Sequence, residues 1–101
     1  MTVNDFFVQN IDIIRAEIID TLGTTFDSHE FIQKFSKRFE ADYIRFLCDY
    51  RGEGAFREVH KQIAQSLSRN EAELDVAKTN VKDKSPNIFG EMTEAERWTK
   101  V

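Results

Sequence analysis

The sequence predicts an α+β domain, mainly α, in which four helices are followed by a C-terminal β-hairpin. Three observations predict it. Apolar residues recur at helical spacing in four stretches between about residues 4 and 70. Past Glu73 the period drops to two, and turn-forming residues follow. One proline and four glycines in 101 residues leave few breaks, so regular elements should dominate and loops should be short.

The first helix is expected from about Asn4 to Leu22. Phe7, Ile11, Ile14, Ile18 and Leu22 form its stripe, and Gly23 would cap its end in a left-handed conformation. Phe6, Ile13 and Ile19 fall beside the stripe, so the helix is apolar on more than one side. With Phe7 they could be covered by the C-terminal segment or could form a homodimer seam.

The second helix has the strongest local start signal. Asp27 is a good N-cap, and Glu30 three residues on completes a capping box. Phe26 and Phe31 fit a hydrophobic staple, and Phe35 and Phe39 continue inward. Lys34, Lys37 and Arg38 fall on the solvent side and near the end, where positive charge suits the helix dipole.

The third helix spans about Ala41 to Tyr50, with Tyr43, Ile44, Leu47, Cys48 and Tyr50 toward the core. Arg51-Gly52-Glu53-Gly54 reads as a turn. The fourth helix, from about Ala55 to Arg69 or Asn70, places Phe56, Val59, Ile63 and Leu67 in one narrow arc. Leu74, Val76 and Val81 then suggest a strand to about Lys82, and Asp83-Lys84-Ser85-Pro86-Asn87 is turn chemistry. Ile88-Phe89-Gly90 is expected to fold back on the body. Arg97 to Val101 reads as a closing strand with Trp98 inward. A capping box at Thr93 and Glu96 equally allows a helix from Thr93 to Lys100.

Size and composition suit one soluble domain covering residues 1–101. Apolar residues make up 41% and charged residues 32% of the chain, too much apolar content for a disordered chain. Nine of the aromatics are Phe, so the core should be built on large rings. The net charge is −4, all of it in residues 1–50, while residues 51–101 carry nine acids and nine bases. The single Cys48 can form no internal disulfide, which points to a reducing, cytoplasmic setting. The N-terminal stretch lacks a signal-peptide pattern, and no apolar run approaches the ~20 residues of a membrane span.

No catalytic or metal constellation emerges. His29-Glu30-Phe31-Ile32-Gln33 lacks the second histidine of a zinc-protease helix. His60 borders the core face of the fourth helix, and Cys48 has no histidine near it in sequence. Gly52-x-Gly54 lacks the spacing of a phosphate loop. A non-enzymatic protein without metal or cofactor is expected.

The outer face of the fourth helix is the main binding candidate. Arg57, Lys61, Gln62, Gln65, Ser68 and Arg69 are the side-chain types that hydrogen-bond base edges and phosphates. Glu58 interrupts this face. Lys78, Lys82 and Lys84 lie on the hairpin and could touch a nucleic-acid backbone, although lysine is also ordinary on exposed strands. A helix followed by a basic hairpin resembles the winged helix-turn-helix superfamily. Phe56 to Leu67 would be the recognition helix, Leu74 to Val81 and Arg97 to Val101 the wing strands, and Lys82 to Asn87 the wing tip. The resemblance implies a small duplex-DNA-binding regulator or mobile-element accessory protein. The alternative is a protein-interaction module, a small acidic inhibitor or assembly factor that engages a protein partner.

Overall fold

The computed structural model describes residues 1–101 as an α+β molecule, mainly α. Six helices are joined to a three-stranded antiparallel sheet. They are α1 (Val3–Gln9), α2 (Ile11–Glu17), α3 (Ser28–Arg38), α4 (Glu40–Asp49), α5 (Ala55–Arg69) and α6 (Glu71–Leu74). The strands are β1 (Thr25–Asp27), β2 (Val76–Pro86) and β3 (Met92–Lys100), in the order β1-β3-β2. No helix is long and apolar enough to cross a membrane.

The expected first helix is broken in two at Asn10. Its side-chain Nδ2 donates to the Phe6 carbonyl at 2.9 Å, and its backbone sits at φ −118°, ψ 22°, outside the helical region. Asparagine offers the backbone this alternative to a continuing ladder. A single 3₁₀ turn, Ile19–Thr21, follows α2, and the chain leaves it extended at Leu22. Gly23 is therefore not a left-handed cap, and only Gly52, Gly54 and Gly90 among the glycines have positive φ. Phe6, Phe7 and Ile19 are buried and Ile13 packs partly against the same core. The apolar excess of this segment thus fills the interior of the monomer.

The capping box at α3 forms as its residues suggest. Asp27 Oδ1 accepts from the Glu30 N–H at 2.9 Å, and Glu30 returns the contact to the Asp27 N–H at 3.3 Å. Phe26 lies over Phe31 at 6.5 Å. Residues 25–27 also pair with Arg97–Thr99 as β1, which the sequence pattern did not signal. In α4, Tyr43 and Phe46 face inward, whereas Ile44 and Cys48 are exposed, contrary to the expected core positions. Phe6 meets Phe35, Phe39 and Phe46 edge-on at 5.9, 4.9 and 5.6 Å. Such pairs add about 0.5–1.5 kcal/mol beyond area burial.

The C-terminal hairpin is longer than its turn residues suggest. β2 runs through Asp83, Lys84 and Ser85 to Pro86, opposite Met92, and β3 starts at Met92. The helix from Thr93 to Lys100 does not form. The tip lies at Asn87–Glu91, where Asn87 Oδ1 accepts from the Phe89 and Glu91 N–H groups and Gly90 takes φ +81°. The register slips between Lys78 and Lys82, with Asn80 left-handed at φ +63°. Beyond this bulge the hairpin is clasped to α3 by His29, whose ring bonds Ser85 at 2.7 Å and Thr93 at 3.2 Å. Nearer the sheet centre, buried Trp98 donates its Nε1–H to Ser28 Oγ at 3.0 Å.

Candidate nucleic-acid interface

Helix α5 is launched from a turn that needs glycine. Gly54, its N-cap, has φ +71°, and Gly52 has φ +86°, both in the left-handed region that side chains disfavour. Val59, Ile63, Ser66 and Leu67 then face the core. Phe56 does not join them. It is 46% exposed and meets Phe89 of the hairpin tip edge-on, ring centroids 4.7 Å apart.

With that stripe buried, Lys61, Gln65 and Arg69 form an exposed crest at i, i+4, i+8. A cleft opens on each side of it. One, of about 340 Å³, lies toward the hairpin and is lined by Ser28, Ser68, Lys78, Glu96 and Trp98 as well as the crest. The other, toward the start of α1, adds Thr2, Asn4, Glu58, Gln62 and Ser66. The crest residues are shared by both clefts, so they project between them.

The charges are partly matched within the molecule. Lys61 Nζ lies 3.3 Å from Glu58, and Lys78 Nζ lies 3.6 Å from Glu96 and 5.7 Å from the centre of the Trp98 ring. Arg69 makes no ion pair. Glu58 is held below the usual carboxylate range by its hydrogen bond from Gln62 and by Lys61, so it stays ionised at neutral pH. An exposed pair such as Lys61–Glu58 contributes about 0–1 kcal/mol. A charge-assisted hydrogen bond to phosphate contributes about 1.5–3 kcal/mol, so Lys61 can exchange one partner for the other.

The residues named from sequence are not all brought together. Lys61, Gln65, Ser68, Arg69 and Lys78 share the cleft beside the hairpin. Gln62 turns toward α4, where its Nε2 donates to Tyr50 Oη at 2.6 Å and to Glu58 at 3.2 Å. That engagement keeps it out of the exposed crest. Arg57 folds back toward the turn, with its guanidinium about 4 Å from where a side chain on Gly54 would begin. Lys82 and Lys84 are not at the tip. They sit within β2 across from Glu96 and Glu94, but neither makes an ion pair, and Glu96 pairs with Lys78 instead. Ser28, Glu96 and Trp98 complete the cleft and were not recognisable as site residues, because only the β1–β3 pairing brings the start of α3 beside the hairpin.

A second groove continues past Ala64 toward the tip, between His29, His60 and the strand Thr93–Glu96. His60 shares a 2.6 Å hydrogen bond with Tyr43 Oη. Burial lowers the pKa of His60, with a smaller contribution from His29, and burial raises that of Tyr43. Both groups are thereby kept neutral at pH 7. No protein-family model, curated protein or solved structure matches this chain.

Proposed function

We propose that this chain is a non-enzymatic duplex-DNA-binding protein, a small regulator or mobile-element accessory factor working on a winged-helix-like scaffold. The observation that carries the reading is the exposed crest of Lys61, Gln65 and Arg69 with a polar cleft on either side. An α-helix with such a crest fits the major groove, where lysine and arginine reach guanine edges or phosphates and glutamine suits adenine. In this reading Ser68 and Lys78 hold the backbone beside the crest. Arg57, folded back toward the turn, stands apart from this set. Lys82 and Lys84, each across from a glutamate, add little.

Salt and charge reversal test the reading. Fluorescence anisotropy with a labelled duplex should show binding that falls steeply with salt. Arg69→Glu should weaken it at least about tenfold and lower the salt slope by about one, with an unchanged melting temperature. Lys78→Glu should act in the same direction. Affinity unaltered by Arg69→Glu, or no retention of the wild type on heparin, would sink the assignment.

A second reading, a protein-interaction module, draws on different residues. Ile44, Phe56 and Phe89 are all about half exposed, although large apolar side chains are usually buried. An acidic adaptor of this kind would bind an anion-exchange resin and ignore heparin.

A further inference from the structure

We propose that the apolar surface made by Ile44, Leu47, Phe56 and Phe89 is the contact face for a second copy of this chain. Ile44, Phe56 and Phe89 are 51%, 46% and 52% exposed. They are also continuous. Ile44 and Leu47 of α4 line a shallow depression with Ala55 and Phe56, and the Phe56 ring carries the patch across to Phe89 at 4.7 Å. The tip turn is tied by Asn87, so Phe89 is held in place without being covered. Contiguous exposed apolar surface of this kind marks an interaction site, and aromatic side chains are enriched in such contacts.

The charges around the patch identify the occupant. Arg51 lines the depression, and Glu53 lies in the same turn. Arg57 and Glu91 flank Phe56 and Phe89 in the adjoining groove. All four are exposed, and none makes an ion pair within the chain, although six other pairs form elsewhere. Free bases and free acids, Glu94 of the same groove among them, surround one apolar patch and suit neither a uniformly acidic nor a uniformly basic partner. They suit the same patch turned through a two-fold axis, where each arginine can meet a glutamate of the other copy. The contact lies at the amino end of α5 and leaves Lys61, Gln65 and Arg69 outside it. It does not rest on the DNA-binding reading.

Sedimentation equilibrium tests this with the full chain, over a series reaching about 1 mM, where even a Kd of 1 mM gives a visible dimer population. The wild type should move from monomer to dimer mass. Phe89→Asp and Ile44→Asp, both at exposed positions, should remain monomeric with unchanged circular dichroism. The double variants Arg51→Glu/Arg57→Glu and Glu53→Arg/Glu91→Arg should each lose dimerisation, and an equal mixture of the two should regain it. A wild type that stays monomeric throughout, or mass that ignores Phe89→Asp, overturns the proposal. Failure of the mixture to recover overturns the two-fold pairing. A chain that dimerises but ignores DNA retains this inference and loses the preceding one.

Discussion

The nine phenylalanines divide into two groups with different environments. Seven of them, between Phe6 and Phe46, are at most 7% exposed and interlock around α1, α3 and α4. The other two, Phe56 and Phe89, are about half exposed and have chiefly each other and the His60 ring for company. The same side chain stabilises the interior in one region and covers a surface in the other. Burial, not residue type, therefore separates the part of the sequence that specifies the fold from the part available to a partner.

The sharpest way to break this contrast is to remove one ring from each group. Phe35 is fully buried and touches Phe6, Phe7, Phe31 and Phe39. Phe35→Ala should cost about 3–5 kcal/mol, through lost transfer energy plus the cavity left behind. In a domain of this length each kcal/mol lowers the melting temperature by about 4–8 °C. Phe89→Ala should stay within about 1 kcal/mol of wild type, since its ring is already half in water. Urea unfolding followed by circular dichroism measures both. Comparable losses would show that the tip is part of the cooperative core.

A smaller effect sharpens the comparison from the interior side. Asp27→Ala removes the acceptor that receives the Glu30 N–H, and Asp27 is itself buried at the β1–α3 junction. The expected loss is about 1–2 kcal/mol, near the upper end for an N-cap. Urea titration of this variant should show a shifted midpoint with an unchanged slope. A loss below a few tenths would mean that strand pairing of β1, not the cap, sets the start of α3.

What the sequence revealed and what it hid follow the same division. The start of α3 was legible because Asp27, Glu30, Phe26 and Phe31 act within five residues of one another. The boundaries of α5 were legible because Gly54 and the apolar stripe are local signals too. The exposure of Phe56 was not, because its place at the edge of the core depends on Phe89, 33 residues away. The length of β2 was hidden by Ser85-Pro86, which suits a turn. β2 is an edge strand, where a missing N–H costs no ladder bond on the solvent side, so the strand absorbs the proline. Thr93 and Glu96 carry helix-start chemistry, but strand pairing with Ser85 and Lys82 of β2 overrides it. For the binding face, Lys61, Gln65 and Arg69 could be read from helical spacing alone. The acids opposite Lys82 and Lys84 could not, because strand register decides which charges meet.

The smallest effect concerns the acid side of neutrality, where the junction between the two regions titrates. His60 lies between Tyr43 of the interior and the Phe56–Phe89 pair. Its pKa is lowered on folding by burial first and by His29 second. The folded state thus binds fewer protons than the unfolded state just below the ordinary histidine value of about 6.5, so stability must rise with pH there. Conversely, the contribution is present above that value and is lost as pH falls toward the folded pKa. Asp5 and Glu58 also have lowered pKa values, from hydrogen bonds to Thr2 and from Gln62 respectively. Their contributions are lost only at more acid pH, in the carboxylate range, so the two windows separate. Urea midpoints should therefore fall for the wild type between pH 7.5 and 5.5, and His60→Gln should flatten that interval while leaving the more acid fall in place. If His60→Gln keeps the full slope above pH 5.5, the burial of His60 does not set the acid response.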